Sequence, residues 1–378
     1  MMTTPVALIR CRDYSAVGLA VEQAMDALGG WPEFIRPGQT VLIKPNLLTH
    51  AAPEKAKTTH PEVVRAVIRA VRAQGANPVV GDSPASVVSL EKVWEETGIG
   101  AVCAEEGVPL INFEKSGSVV VSQWGMSFNV ARPVKDADVI ISVPKVKTHI
   151  LTLLTCAVKN MYGAIPGFQK TALHKQYPDV QAFGELLAAV YIATKPALVI
   201  ADGIVGMEGE GPSAGEPVPL GFLAASADGA ALDMALCAIL GIKPQHVAYL
   251  AALHRRGGLS LDAGSVSYVG EHPAALKPAR FRVPSTLIGK MIPAGLVRVV
   301  RRWVWIRPAF DPSLCIRCRQ CVRACPAEAL ALAGEQRVPE LTFSRCIECC
   351  CCHEVCPVKA VSMRMSPLLN FFRRGRLP

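Results

Sequence analysis

Cys315-Ile-Arg-Cys318-Arg-Gln-Cys321-Val-Arg-Ala-Cys325-Pro326 returns 31 residues later as Cys346-Ile-Glu-Cys349-Cys-Cys-Cys352-His-Glu-Val-Cys356-Pro357. Both copies satisfy C-x2-C-x2-C-x3-C-P, the spacing with which a short chain binds two 4Fe-4S clusters. Three closely spaced thiolates wrap three corners of one cubane, and the fourth reaches across to the other. One cluster is then expected on Cys315, Cys318, Cys321 and Cys356, and a second on Cys346, Cys349, Cys352 and Cys325. Zinc is the rival occupant, since paired C-x2-C units also build zinc sites; two full repeats each closed by Cys-Pro favour iron and sulfur. Cys350 and Cys351 are surplus to eight ligands and are read as small residues in a crowded loop, as alternative ligands or as redox-sensitive thiols. Short helices over 327–331 and 358–361 are expected after each Cys-Pro.

The other four of the 14 cysteines, Cys11, Cys103, Cys156 and Cys237, are scattered. That distribution is unlike a disulfide-stapled secreted domain. The first residues lack the basic start and apolar core of a signal peptide, and no apolar run reaches the roughly 20 residues of a membrane span. The cytoplasm is therefore expected, where clustered thiols serve metals rather than disulfides. With 378 residues, 51% hydrophobic and 19% charged, the chain can bury a sizeable core and is not disordered. The net charge of +9 is uneven: 23 Lys+Arg face 25 Asp+Glu up to residue 277, and 17 face 6 beyond it. Arg317, Arg319, Arg323 and Arg345 thread the cysteine motif, where each oxidised cluster with its four thiolates adds roughly −2. The basic excess is read as compensation for clusters and as a docking face for an acidic electron donor, not as a nucleic-acid footprint.

Upstream of the cysteines, short apolar runs alternate with helical periodicity. Strands are expected over 6–10, 40–47, 78–81, 110–113, 138–143, 197–201 and 222–225, and helices over 16–28, 61–74, 181–193 and 231–240. A hairpin over 119–121 and 127–130 interrupts the alternation. Such alternation implies an α/β fold with a large, mostly parallel sheet, followed by a small α+β ferredoxin-like domain. The expected division is an α/β domain over 1–270, a basic Pro-containing connector over 271–310 with an amphipathic helix near 296–305, the ferredoxin-like domain over 311–365 and a basic tail over 366–378. Membrane-surface docking of the amphipathic segment is the sharper reading of it; packing on its own protein is the simpler one.

No standard nucleotide motif is present. Gly209-Glu-Gly211-Pro-Ser-Ala214 lacks a following helix, and Gly163, Gly167 and Lys170-Thr171 have the wrong spacing for a P-loop. Polar residues do gather at the ends of apolar strands, where open α/β sheets place ligands. Lys44 and Asn46 end one strand, Asp82 and Ser83 another. A third leads into Lys145-Val-Lys147-Thr-His149, whose alternate residues share a face if the chain stays extended. Lys159-Asn160 opens a Gly/Pro-containing loop, and Glu208 lies in a glycine-rich one. Lysines converging there suit an anionic ligand, and a desolvated one suits acid–base work. Lys147, His149, Asp82 and Lys159 are the catalytic candidates; Lys44, Asn46, Lys145, Asn160 and Glu208 the substrate-binding ones. Solvated lysines at strand ends are the plain alternative, and His60 and Asp228 read as helix caps.

Val41-Leu-Ile-Lys-Pro-Asn46, Thr58-Thr-His-Pro-Glu62, Val79-Val-Gly-Asp-Ser83, Pro144-Lys-Val-Lys-Thr-His149, Lys159-Asn160-Met-Tyr-Gly163 and Gly206-Met-Glu-Gly-Glu-Gly-Pro212 together resemble the bacterial and archaeal domain-of-unknown-function family numbered 362. The cysteine region resembles the ferredoxin module fused to many members. The likeness spans roughly residues 5–245 and 311–365. It departs at Cys349–Cys352, where an aromatic is expected among the cysteines. The resemblance implies an iron–sulfur oxidoreductase of undefined substrate.

The expected function is relay of single low-potential electrons from a redox partner protein, through two 4Fe-4S clusters, to an anionic small molecule on the α/β domain. The alternatives are an electron-transfer or binding subunit with no catalytic site, or a redox-neutral acid–base enzyme with structural clusters. Protein purified without oxygen should be brown and carry about eight irons per chain, two four-iron clusters' worth; a colourless, zinc-loaded protein would contradict this.

Overall fold

The computed structural model describes residues 3–85, 87–284, 303, 305–332, 334 and 338–374. Twelve strands precede the cysteine region: β1 Thr4–Arg10, β2 Thr40–Pro45, β3 Asn77–Asp82, β4 Leu110–Asn112, β5 Ser118–Gln123, β6 Met126–Ala131, β7 Val139–Val143, β8 Lys145–His149, β9 Leu153–Thr155, β10 Leu198–Glu208, β11 Glu216–Ser226 and β12 Val266–Gly270. All but β5 and β6 form one sheet in the order β12-β1-β11-β10-β7-β2-β3-β4, with β8 joined to β10 and β9 to β8. The pairs β2–β3, β2–β7, β3–β4, β10–β7, β10–β8 and β1–β12 are parallel; only β1–β11, β10–β11 and β8–β9 are antiparallel.

Local chemistry fixes the elements around this sheet. His60 Nδ1 accepts the Glu62 N–H and Pro61 opens the helix Pro61–Ala73, while Gly75, at φ +73, ends it. Its Val63, Val64, Val67, Ile68 and Val71 recur at helical spacing and bury one face against the sheet. Asp179 caps Val180–Ala193 and Asp228 caps Gly229–Leu240. The expected hairpin is present as β5–β6, a separate two-stranded sheet turning through Trp124 and Gly125 at positive φ. Apolar side chains fill both faces of the main sheet, in two separate buried clusters.

Three local expectations are corrected. The glycine-rich loop around Glu208 is strand: β10 runs through Glu208, which pairs with Glu216 of β11. The helices expected after each Cys-Pro lie before the fourth cysteine instead, at Gln320–Arg323 and Cys351–Glu354. Glu328 and Lys359, both in the left-handed region, break any helix after Cys-Pro, and short strands follow. These are β13 Ile306–Phe310 paired with β16 Val361–Met365, and β14 Leu330–Leu332 paired with β15 Pro339–Leu341. The third correction concerns lysine exposure: Lys44, Lys145 and Lys147 are at most 1% exposed, not solvated. The amphipathic helix expected near 296–305 lies outside the described residues. No described helix is long and apolar enough to cross a membrane.

The buried lysines persist because each has a partner. Lys145 Nζ lies 2.6 Å from Asp202 Oδ2 and 2.9 Å from the Tyr14 hydroxyl, both carboxylate and ammonium fully enclosed. Asp202 also accepts the His60 backbone N–H at 3.0 Å, and the Tyr14 ring stacks on His60 at 3.5 Å. Replacing Asp202 by Asn strands the Lys145 charge in the core. Urea unfolding should show a loss of about 3–5 kcal/mol, as for other broken buried pairs.

Candidate functional site

The parallel strands β2 and β3 end side by side, and their last residues meet. Lys44 Nζ is 2.7 Å from Asp82 Oδ1, both side chains enclosed. Burial pushes Lys44 down and Asp82 up, and each partner's charge opposes the shift. Asp82 Oδ2 accepts the Leu47 N–H at 2.8 Å, tying the turn after β2 to the end of β3. Gly163 covers the pair: a Cβ there would collide with Asp82 Oδ1 and Lys44 Nζ, so only glycine lets the backbone approach so closely.

Above this pair lies a cavity of about 110 Å³, walled by Asn46, Asp82, Ser83, Lys147, Thr155, Lys159, Asn160, Tyr162, Lys170 and His174 on the α/β side. Ala324, Cys351, Glu354 and Val355 of the cysteine region close it. Burial drives Lys147 well below the ordinary lysine range, helped by the neighbouring Lys159 charge; its Nζ donates to the Lys57 carbonyl at 2.6 Å. Burial also lowers Lys159, against the pull of Glu354. Lys170, pushed down to about 8 by burial, donates to Ser83 Oγ at 2.6 Å and to the Ser83 and Ile165 carbonyls at 3.0 Å. Asn160 Nδ2 donates to the Lys44 carbonyl and Ser142 Oγ. That fixes the amide's orientation and leaves Oδ1 buried with no hydrogen-bond donor. His174 stacks on Phe183 and is pushed down to about 4 by burial.

Five of the nine residues expected from the sequence therefore line one cavity: Asn46, Asp82, Lys147, Lys159 and Asn160. Lys44 stands directly behind Asp82. Lys145 does not reach the cavity, being held by Asp202. Glu208 points elsewhere and pairs with Arg282 at 2.7 Å. His149 acts from outside the wall: its Nδ1 accepts the Leu151 and Thr152 N–H groups, at 3.0 and 3.4 Å. The ring proton is thereby assigned to Nε2, 3.1 Å from Glu354 Oε1. Burial opposes ionisation of Glu354, but His149 and the Lys159 charge overcome it and hold the carboxyl below its usual range. Sequence reasoning missed Lys170, His174 and Glu354 as wall residues. The available signal for Glu354 was an acidic residue set between two ligand cysteines.

The cysteine region is also joined to the α/β part by Ser213 Oγ donating to the Glu354 carbonyl and by Lys359 Nζ, 2.8 Å from Glu216 Oε1 and 3.1 Å from the Gly215 carbonyl. Within it, one cavity is ringed by Cys315, Cys318, Cys321 and Cys356, and another by Cys325, Cys346, Cys349 and Cys352 with Cys350 and Cys351. Each cavity brings together one of the groups of four cysteines named from the spacing. Among the described residues no Cys, His, Asp or Glu group is drawn tightly enough around a point to hold a single ion. The repeat is structural as well: left-handed residues Arg317, Arg319 and Glu328 recur 31 positions on as Glu348, Cys350 and Lys359. Cys350 thus holds the backbone position of Arg319, where the chain turns around the ring.

Residues 41–238 match the family model described as Domain of unknown function (DUF362), and residues 307–330 match a 4Fe-4S binding domain. The chain belongs to the domain-of-unknown-function 362 family. It is 36% identical over 303 residues to a thylakoid-associated protein of Synechocystis sp., covering 79% of this chain and 93% of that protein. The lactate racemase apoprotein from Thermoanaerobacterium thermosaccharolyticum overlays 61% of this chain and 55% of its own, at a TM-score of 0.40 and 11% identity. This family member is thus an iron–sulfur protein with a 4Fe-4S binding domain after its α/β sheet.

His174 makes the wall acid-sensitive. Its folded pKa of about 4 lies below the unfolded value near 6.5, so the unfolded chain binds more protons between those limits. The stabilisation is complete above about pH 6.5 and is lost as pH falls towards 4. His174→Gln should flatten the fall in urea midpoint across that window relative to the natural protein.

Proposed function

We propose that this protein is an electron-transferring enzyme in which two 4Fe-4S clusters deliver single electrons to a small anion in the cavity over the strand ends. One observation carries the reading: Cys351 lines both that cavity and the one ringed by Cys325, Cys346, Cys349 and Cys352. A substrate in the first would lie one side chain from a cluster in the second.

The fit of the residues to the clusters rests on the two rings of four cysteines and on backbone turned around each by paired left-handed residues. When bound, the clusters supply one-electron reducing equivalents. The chain's own residues do the rest. Lys159 and Lys147 bind and orient the anion. Lys147, whose burial favours the neutral amine, exchanges protons with the ligand. Lys44 and Asp82 hold the floor rigid, and the enclosing wall of Tyr162, Val355 and Ala324 excludes water. His149 positions Glu354. The first ring is the more open: Cys318 is exposed, whereas Cys349 and Cys352 are buried. That contrast supports entry of electrons from a redox partner protein at the first ring and exit from the second.

The test uses anaerobic holo-protein reduced with dithionite and mixed with a panel of small carboxylates and phosphates, with the visible band followed. At least one compound should reoxidise the clusters. Lys147→Met should slow that step roughly 100-fold, the size of a lost proton-transfer group, with the cluster spectrum unchanged. Turnover that proceeds equally well with the clusters held oxidised would favour redox-neutral acid–base chemistry instead.

A further inference from the structure

We infer that the cavity's ligand carries, beside its anionic group, an N–H or O–H donor within two or three bonds of it, as a small hydroxy acid or amino acid does. This deepens the functional reading above and rests on it for the site, but not for electron transfer.

The protein leaves several polar groups of this cavity unsatisfied. Lys159 lines the cavity, and among the described residues its Nζ makes no hydrogen bond or ion pair. The Glu354 carboxyl lines the same cavity, 3.1 Å from His149 Nε2. Its Oε1 is buried and, although it faces His149, has no hydrogen-bond partner among the described residues. The Lys159 amine and this carboxyl share one small enclosure yet do not pair with each other, and a buried polar or charged group left without a partner is costly. A ligand set between them satisfies both, its anion on Lys159 and its donor on Glu354.

Asn160 makes the same demand independently. It is 3% exposed and lines the cavity, its amide nitrogen is committed to the Lys44 carbonyl and Ser142, and its Oδ1 has no donor. Thr155, also in the wall, has a buried Oγ1 without a partner. A plain anion offers only acceptors and would leave Asn160 Oδ1 and Glu354 unmatched, with its own charge facing the Glu354 carboxylate. A molecule bearing both kinds of group matches the set. The cavity's volume of about 110 Å³ keeps the matched portion compact.

The experiment is equilibrium binding to oxidised holo-protein by calorimetry, with acetate, glycolate and glycine as probes of one carbon skeleton. Glycolate, glycine or both should bind at least tenfold tighter than acetate. Lys159→Met should weaken all three, and Glu354→Gln should bring the tighter probes down to the acetate level. The visible spectrum of each variant reports whether clusters and fold are kept, and Asn160→Asp, which adds charge without removing the acceptor, supplies a second variant: it should weaken acetate more than glycine. Acetate binding as tightly as glycolate and glycine, or no binding of any probe, would overturn the inference. Failure of cluster reoxidation with intact discrimination would instead sink the electron-transfer reading and leave this one standing.

Discussion

An ammonium group without water is the constraint on which this structure turns. Lys44, Lys145 and Lys147 end strands or run through them, and all three are enclosed. Each must therefore find an anion or carbonyl or lose its proton. Lys44 takes Asp82 from the next strand and Lys145 takes Asp202 from β10, so both pairs bind strand to strand as well as charge to charge. Lys147 receives only the Lys57 carbonyl. It is the least compensated of the three, and it is the one that faces the cavity. Lys145 and Lys147 share one face of β8, and it is Asp202, opposite Lys145, that makes one a stabilising pair and leaves the other chemically available.

Closing the cavity needs the cysteine region. Without it Glu354 would be absent, Lys159 would face solvent, and His149 Nε2 would lose its acceptor. With Cys349, Cys352 and Cys356 as cluster ligands, metal binding and completion of the cavity would be one event, because the short helix Cys351–Glu354 set among them carries both the shared wall residue and the carboxylate. Metal binding is folding energy wherever no site preexists in the unfolded chain, and here part of that energy orders a surface that is not itself metal-binding.

The sheet was legible because buried parallel strands read as uninterrupted apolar runs and their helices carry explicit caps, His60, Asp179 and Asp228 among them. The cysteine rings were legible because spacing along the chain dictates them. The lysines at strand ends could be recognised, but their roles could not. Lys145 and Lys147 are two residues apart and chemically identical, and only the position of Asp202, 57 residues on, separates a structural pair from a free amine. Lys170 and His174 stayed hidden since a helix of low amphipathicity, Gln169–Gln176, gives no sign of which face is enclosed. Glu208 misled because glycines on either side read as a loop, whereas β10 stays paired with β11 through Glu208, past a register shift between Gly203 and Val205.

The two cysteine repeats share a backbone but not an environment, and their differences follow from that. Arg319, Gln320 and Arg323 of the first correspond to Cys350, Cys351 and Glu354 of the second, 31 residues on. Arg323 is exposed, where a cation beside anionic thiolates costs no desolvation. Its counterpart Glu354 is turned towards Lys159 and His149, where a second cation would meet like charge with no water to screen it. Gln320 gives way to Cys351 for a related reason: a small, weakly polar side chain fits between a ring of thiolates and an enclosed cavity without bringing donors that need partners. At these two positions the basic character of the C-terminal hundred residues gives way on the side that faces the cavity, while Lys359 reaches Glu216 across the join. Where the outer repeat carries a glutamine and an arginine, the inner one carries a thiol and a carboxylate, and that substitution marks the side of the pseudo-symmetric unit that closes the cavity over the strand ends.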